Sequence, residues 1–357
     1  MRWDIFCRVI DNLGDIGVCW RLCADLAARG ERVRLWIDQP AALDWMAPGA
    51  LEGTWPGVAV HRWTDALPPG LVEALPTAEV WIEAFGCDPA PEWVAALALR
   101  RAQGEPPPVW INLEYMSAES WVERSHGLPS PLMSGPLQGL SKWFFFPGFT
   151  AATGGLLREP DLESRQTRFD PQGWLSRRGL PAQGRRRAAL FCYEPPALTA
   201  VMTQADNCDW LVTPGRTRQA VQAASATTDP SRVHDLPWLS QREFDHLLWS
   251  CDLNFVRGED SLVRALWAGQ PFVWQIYPQD DNAHHAKLEA FLDWLSAPPS
   301  LRRFHRAWNG LSAPGEAVWP DDATLVEWKA CAQAARRRLL ALADLTTQLL
   351  RFVTEKR

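Results

Sequence analysis

Short apolar runs alternate with segments of helical periodicity along the first half of the chain, and this alternation constrains the fold more than any other feature. Runs typical of buried strands span residues 2–10, 32–38, 58–63, 79–85, 109–114 and part of 143–146. Segments between several of them, such as residues 92–101, have the spacing of a helix with one apolar face. Strands and helices in this order predict a doubly wound α/β domain with a mostly parallel sheet.

The second half of the chain repeats this alternation. Strands are predicted over residues 188–193, 210–213, 252–256 and 271–276, with an amphipathic helix over 241–249. Residues 154–187 are polar and contain Gly and Pro, which predicts a linker, and a length of 357 residues is typical of two domains. We therefore expect two Rossmann-like domains that face each other across a cleft. The first would comprise residues 1–178 and the second 179–337, and a C-terminal helix over 338–357 would rejoin the first.

Net charge, apolar runs and cysteine spacing exclude several classes of protein. A net charge of −6 argues against a nucleic-acid-binding protein. No apolar run approaches the roughly 20 residues of a membrane-spanning helix, and the N-terminal residues lack the pattern of a signal peptide. The eight cysteines include no C-x-x-C pair, so they predict reduced core residues. We expect a soluble cytoplasmic protein with no nucleic-acid or membrane partner.

The turn over residues 11–17 joins the first predicted strand to the first predicted helix. Ligands of open α/β sheets bind beyond the carboxyl ends of strands, where such turns lie. Gly14 and Gly17 leave room for another molecule, and Asp11 and Asp15 place two carboxylates there. The alternative interpretation is local, with Asp15 as a helix N-cap and Asp11 as a turn former.

Other polar side chains follow later strands of the first half. Glu83, Glu114 and Tyr115 lie at or just beyond predicted strand ends, on the rim where a ligand would bind. The alternative is that each is a solvated loop residue or a cap.

Two strand-to-helix turns of the second half carry concentrated polar residues. In the turn over residues 257–261, backbone N–H groups near Asp260 and Ser261 favour an anionic phosphate. Carboxylates repel a phosphate, so Glu259 or Asp260 would instead bind hydroxyls. The other turn begins at Tyr277. A simple capping turn is again the alternative.

Motifs of several enzyme classes are missing. Gly14-x-x-Gly17 lacks the first glycine of the dinucleotide fingerprint G-x-G-x-x-G, although Asp38 could replace the ribose-binding acid. The sequence contains no P-loop lysine motif, no H-E-x-x-H and no D-x-D at a strand end, which disfavours metal-dependent transfer. Two Rossmann-like domains also suit enzymes that bind a nucleotide sugar in one domain and an acceptor in the other.

Several motifs occur together in a specific order along nearly the whole chain. They are Asp11-Asn12-x-Gly14-Asp15-Ile16-Gly17, Asn112-x-Glu114-Tyr115, Phe191-x-Tyr193, Arg257-Gly258-Glu259-Asp260-Ser261 and Ile276-Tyr277-Pro278-Gln279. In this combination the sequence resembles the family of protein-arginine rhamnosyltransferases that modify bacterial translation elongation factor P. The resemblance implies a GT-B glycosyltransferase that transfers L-rhamnose from dTDP-β-L-rhamnose to one arginine of that factor, with inversion and without a metal or cofactor. The modified factor would rescue ribosomes stalled at consecutive prolines.

The resemblance also implies roles for individual residues. Asp15 would be the catalytic base and Asp11 its essential neighbour. Donor-binding residues would be Asn12, Gly14, Gly17, Phe191, Tyr193, Arg257, Glu259, Asp260, Ser261, Tyr277 and Gln279. Glu83, Glu114 and Tyr115 would lie on the acceptor side. Two alternatives stay open, namely a GT-B transferase or epimerase acting on a small molecule and a non-enzymatic nucleotide-sugar-binding protein.

Overall fold

A computed structural model describes residues 1–9, 13–63, 67, 70–224, 229–278 and 283–357, without the side chains of Glu73 and Ala283. The chain divides into two compact units. The first unit comprises residues 1–159 and 342–357, and the second comprises residues 160–341.

The first unit is built on a seven-stranded sheet with the order β3-β2-β1-β4-β5-β7-β6. Its strands are β1 (Arg2–Cys7), β2 (Arg32–Ile37), β3 (Val58–Arg62), β4 (Val80–Ala84), β5 (Val109–Leu113), β6 (Pro129–Pro131) and β7 (Ser141–Phe145). The helices before residue 159 are α1 (Gly14–Ala28), α2 (Leu43–Met46), α3 (Leu71–Ala74), α4 (Pro91–Ala102) and α5 (Trp121–Ser125). All strand pairs are parallel except that of β6 with β7, which is antiparallel.

The second unit is built on a five-stranded parallel sheet with the order β10-β9-β8-β11-β12. Its strands are β8 (Arg186–Leu190), β9 (Cys208–Val212), β10 (Val233–Asp235), β11 (Leu253–Arg257) and β12 (Phe272–Gln275). Its helices are α6 (Leu162–Arg168), α7 (Pro171–Ser176), α8 (Leu198–Gln204), α9 (Arg216–Ala224), α10 (Gln241–Ser250), α11 (Gly258–Ala268), α12 (Ala283–Leu295), α13 (Pro299–Trp308) and α14 (Asp322–Leu340).

After α14 the chain returns to the first unit as helix α15 (Leu345–Lys356). Three apolar side chains of α15, Leu345, Leu349 and Val353, are buried in a core shared with β1 and α1. The carboxylate of Asp344 caps the helix and also forms an ion pair with Arg29, at 2.7 Å.

Alternating side chains place two different cores on the two faces of the first sheet. Trp3 and Ile5 of β1 face the core that contains α1 and α15. Phe6 faces the other core, where the ring of Trp93 packs edge to face on both Phe6 and Trp36.

The region predicted as a linker, residues 154–187, contains helices α6 and α7 and the start of β8. These two helices belong to the second unit, so the boundary lies at residues 159 and 160 and not at 178 and 179. Their ion pairs give the physical reason. Arg165 of α6 bonds to Asp245 of α10, at 3.4 Å, and Arg178 beyond α7 forms an ion pair with Glu243 of the same helix.

All eight cysteines are free thiols, and seven of them are buried, as the sequence predicted for reduced core residues. In the described part of the chain, no helix is both long and apolar enough to cross a membrane.

Candidate functional site

The strand-to-helix turn of the first unit runs from the end of β1 at Cys7 to the start of α1 at Gly14. Asp11 and Asn12, predicted as a catalytic and a donor-binding residue, lie outside the described residues. The N-cap of α1 is Leu13, and the Gly17 N–H donates to its carbonyl at 3.0 Å. Asp15 therefore lies inside the first turn of the helix, and its interpretation as an N-cap is wrong.

Asp15 is a buried carboxylate, with 3% of its surface exposed. The hydroxyl of Tyr115, just beyond β5, donates a hydrogen bond to Asp15 Oδ1 at 3.1 Å. The Tyr115 ring in turn stacks on Phe85, with centroids 4.4 Å apart and planes 13° from parallel. The segment after β5 thus contacts Asp15 through Tyr115, and the segment after β4 supports Tyr115 through Phe85.

Phe85 has a backbone φ of 59°, in the left-handed region that non-glycine residues rarely adopt. Its N–H donates to the Leu113 carbonyl at 2.7 Å, which anchors it to the end of β5. Backbone strain of this kind is found most often at functional sites, where the surrounding structure maintains it. Here the unusual backbone accompanies the stacked ring that supports Tyr115.

Gly14 and Gly17 were predicted to leave room for another molecule at this turn. A Cβ added at Gly14 would meet no heavy atom of the described residues within 4 Å, which leaves space beside the helix start. Gly17 is buried within α1.

Glu83 and Glu114 were predicted on the acceptor side together with Tyr115. Glu114 accepts a hydrogen bond from the Asn112 side chain at 2.8 Å, next to the end of β5. Glu83 shares a sheet face with Trp81 and the aromatic core, whereas its neighbours in β4 face α1. The structure therefore does not bring Glu83 to the sheet face that carries Asp15.

Glu83 instead takes part in a separate cluster of charges. Its carboxylate lies 2.8 Å from Lys142 Nζ, which also contacts Asp88 at 2.9 Å. Burial raises the pKa of Glu83 to about 7, although Lys142 opposes this change.

In the second unit, β11 ends at Arg257 and α11 begins at Gly258. Gly258 has a φ of 63°, and a Cβ there would lie 3.4 Å from the Tyr193 hydroxyl oxygen. Ser261 Oγ accepts a hydrogen bond from the Arg257 N–H at 3.0 Å and donates to the Arg257 carbonyl. In this conformation Ser261 therefore fixes the turn, in addition to any role in phosphate binding.

Two acidic residues occupy the first turn of α11. Glu259 forms an ion pair with Lys287 of α12, at 2.6 Å. Asp260 is half-buried in the same turn. The sequence placed both among the donor-binding residues, and the structure brings both to the helix start beside Arg257.

Arg257, Phe191, Tyr193 and Tyr277 form a cluster at the carboxyl ends of β8, β11 and β12. The Arg257 guanidinium lies over the rings of Phe191 and Tyr193, 4.4 and 4.6 Å from their centroids, and its Nη1 donates to the Cys192 carbonyl at 2.9 Å. The Tyr277 ring packs edge to face on Tyr193, with centroids 5.6 Å apart. Gln279, predicted in the same site, lies outside the described residues.

Three residues of this cluster were not predicted as site residues. Gln275 accepts a hydrogen bond from the Tyr193 N–H at 2.7 Å. Arg216, the first residue of α9, lies over the Tyr193 ring at 4.7 Å and is held by Glu194. A signal for Arg216 was present, because it follows β9 through Pro214 and Gly215, again in a strand-to-helix turn.

The two turns offer different chemistry. The first holds a buried carboxylate beside a tyrosine hydroxyl, which suits a proton acceptor. The second combines guanidinium groups, aromatic faces and a helix start, which suits a nucleotide with phosphates. No group of three or more His, Cys, Asp or Glu in the described ranges is arranged to hold a metal ion.

Comparison with known proteins identifies the family. Residues 3–354 match the family model described as Elongation-Factor P (EF-P) rhamnosyltransferase EarP. The chain is 43% identical to the protein-arginine rhamnosyltransferase of Pseudomonas putida, with 98% of each chain covered.

Solved structures give the same result for the fold. A structure described as the structural basis for EarP-mediated arginine glycosylation of translation elongation factor EF-P is 30% identical, with a TM-score of 0.62, and covers 100% of this chain and 99% of its own. A structure of glycosyltransferase VinC in complex with dTDP, 14% identical with a TM-score of 0.51 and full coverage of both chains, shares the fold alone. The predicted GT-B fold and the predicted family are both confirmed. The chain belongs to the EarP family of elongation factor P rhamnosyltransferases and is a glycosyltransferase built from two parallel-sheet domains.

Proposed function

We propose that this chain transfers L-rhamnose from dTDP-β-L-rhamnose to one arginine side chain of translation elongation factor P, with inversion and without a metal or cofactor. Family membership supports the reaction class. The main structural support for binding of the nucleotide-sugar donor is the cluster of Arg257 with Phe191 and Tyr193 at the start of α11. The modified factor would act on ribosomes stalled at consecutive prolines.

The donor would bind in the second unit by its nucleotide and diphosphate. Phe191 offers an aromatic surface for the thymine or the ribose. Arg257 and the first N–H groups of α11 would stabilise the negative charge that develops on the leaving dTDP, and the Tyr193 hydroxyl would hydrogen-bond to a phosphate of the donor. Arg257 is already fixed by the Cys192 carbonyl and two rings, so little reorganisation is needed when the charge appears.

Asp15 would act on the acceptor arginine. A protonated guanidinium has no free electron pair and a pKa above about 12, so a base must remove a proton as the new bond forms. One guanidinium nitrogen bonds to the anomeric carbon, the bond from that carbon to the phosphate oxygen breaks, dTDP leaves with the electron pair, and Asp15 takes the proton. A single displacement of this kind inverts the anomeric configuration.

Intact-mass spectrometry tests the reaction directly. Purified elongation factor P is incubated with the full chain and dTDP-L-rhamnose, in buffer with and without EDTA, and a factor in which the acceptor arginine is replaced by lysine serves as the control. We expect a gain of one deoxyhexose on the wild-type factor only, unchanged by EDTA. NMR of the modified arginine then reports the anomeric configuration.

The alternatives give different results in the same experiment. In the first alternative, the chain binds dTDP and modifies free arginine or another small acceptor, but the mass of the factor stays unchanged. This result would identify a small-molecule transferase. Binding without turnover on any acceptor would contradict the proposal as a whole.

A further inference from the structure

A second guanidinium reaches the predicted donor site from an element that the motifs do not include. Arg216 is the first residue of α9, and its Cζ lies 4.7 Å from the centroid of the Tyr193 ring. Arg257 approaches the same ring at 4.6 Å. Tyr193 is therefore in contact with two arginines from two different helix starts.

Glu194 fixes the orientation of Arg216. Its carboxylate accepts hydrogen bonds from both Nε, at 2.9 Å, and Nη2 of Arg216. A bidentate pair of this kind holds the plane of the guanidinium, which a single contact does not. Because Glu194 directly follows Tyr193 in the chain, the pair links the loop after β8 to the start of α9.

The pair contributes little to the stability of the fold. The Arg216 and Glu194 side chains are 37% and 55% exposed, and exposed ion pairs contribute little to the free energy of unfolding. Tyr193, in contrast, is buried, and its hydroxyl lies close to the first residue of α11. The contact of Arg216 with Tyr193 therefore has more consequence for the site than for folding.

We propose that Arg216, oriented by Glu194, is a positioning residue that holds the Tyr193 ring and hydroxyl in place to bind the diphosphate of the nucleotide donor. The inference rests on the proposed function, because it assumes that the donor's diphosphate binds beside Tyr193. It adds a residue pair that lies outside the motifs used to recognise the family.

Calorimetric titration of the full-length chain with dTDP is the first test. We expect Arg216→Met and Glu194→Ala each to raise the dissociation constant of dTDP about five- to tenfold. The matched control is Arg218→Met in the same helix. Arg218 pairs with Asp235 at 2.8 Å, with 36% and 55% of the two side chains exposed, but has no contact with Tyr193 among those the structure describes. We expect this control to bind dTDP as the wild type does.

A double-mutant cycle separates positioning from direct binding. If Arg216 acts through Tyr193, then Arg216→Met adds no further loss of dTDP affinity in a Tyr193→Ala background. An equal loss in both backgrounds would overturn the positioning role. Arg216→Lys keeps the charge but not the bidentate geometry, so we expect it to bind no better than Arg216→Met, and wild-type affinity in this variant would also overturn the proposal.

Steady-state kinetics with the protein acceptor complete the test. We expect Arg216→Met to raise KM for the donor five- to tenfold with kcat changed less than about twofold. If the wild-type chain itself fails to bind dTDP, the proposed donor site is wrong and this inference fails with it. If the wild type binds dTDP and Arg216→Met binds it equally well, only this inference fails.

Discussion

The turn after β1 and the turn after β11 each join a strand with parallel neighbours to a helix, but they contain opposite kinds of side chain. The first presents the buried carboxylate of Asp15, supported by a tyrosine hydroxyl. The second presents the guanidinium of Arg257, supported by two aromatic rings and a carbonyl. A strand-turn-helix segment therefore carries a buried carboxylate in one unit and a guanidinium beside aromatic rings in the other.

The comparison shows how much of each site depends on its helix start. Both helices begin without a side-chain cap from the N-cap residue, and their first N–H groups carry the partial positive charge of a helix N-terminus. At α11 those groups add to the positive charge of Arg257. At α1 the same groups lie beside the carboxylate of Asp15, in the first turn of the helix. The chemistry of each turn is thus set by which side chain the sequence places there.

The largest effect should come from removing the carboxylate of the first turn. Asp15→Asn keeps the shape of the side chain but not its basicity, so we expect kcat to fall about a thousandfold. Affinity for dTDP should stay within about twofold of the wild type. Rhamnosylation is measured by intact mass and dTDP binding by calorimetry, with the exposed Asp44→Asn as the control. Turnover near the wild-type rate would contradict the role of Asp15.

The reciprocal change removes the cation of the second turn. Arg257→Met keeps the apolar stem but loses a charge and a hydrogen bond to Cys192, so we expect the dissociation constant of dTDP to rise about thirtyfold. Calorimetry measures this, with the exposed Arg242→Met as the control. Unchanged affinity would show that the nucleotide binds elsewhere.

Removing one tyrosine hydroxyl from each turn sharpens the comparison. Tyr115→Phe keeps the stack on Phe85 but loses the hydrogen bond to Asp15, so we expect kcat to fall about tenfold with little change in dTDP affinity. Tyr193→Phe should instead raise the donor KM about threefold at nearly constant kcat. Steady-state kinetics give kcat and the donor KM for both variants. If both variants changed kcat and KM to the same extent, the first turn would not act mainly on the chemical step and the second would not act mainly on donor binding.

The smallest effect on transfer is expected at Glu83. The pKa of Glu83 is about 7 in the folded chain, above its ordinary value of 4.5. Between pH 4.5 and pH 7 the folded state therefore keeps a proton on Glu83 that the unfolded chain has lost. Stability should therefore fall as the pH rises through this range, by roughly 2 kcal/mol. Denaturant unfolding at pH 5 and pH 8 measures the loss, which Glu83→Gln should remove and the exposed Glu52→Gln should not. We expect Glu83→Gln to change kcat less than about twofold. A large loss of transfer would instead support the original prediction that Glu83 lies in the acceptor site.

Ten of the twelve strands that the structure describes could be predicted from the sequence, because their apolar runs are short and bounded by polar residues. The other two, β6 and β10, were missed because each has only three residues. Strand ends were less accurate, since the aromatic residues Phe191 and Tyr193 extend the run beyond β8, which ends at Leu190. Helices α6 and α7 were missed because few of their residues are apolar, and they are held by arginine ion pairs instead.

The contents of the two turns could be predicted in part. Asp15, Tyr115 and the cluster around Arg257 lie at strand ends, which sequence patterns locate. The face occupied by Glu83 could not be predicted, because both faces of β4 are buried and its sequence has no polar alternation to show which one meets α1. The sequence places Arg216 in a strand-to-helix turn, but its contact with Tyr193 could not be predicted, because that contact depends on how two separate loops meet.

The return of the chain to the first unit has a consequence for the order of synthesis. Helix α15 supplies core residues to the first sheet, and Arg29 reaches Thr347 across 318 positions of sequence, at 2.7 Å. A ribosome makes all of residues 160–341 before it reaches this helix. The second unit can therefore begin to fold during translation while the first still lacks part of its core, although the first unit was started earlier. During that interval, the apolar face of α1 that α15 will cover is a place where a chaperone can bind.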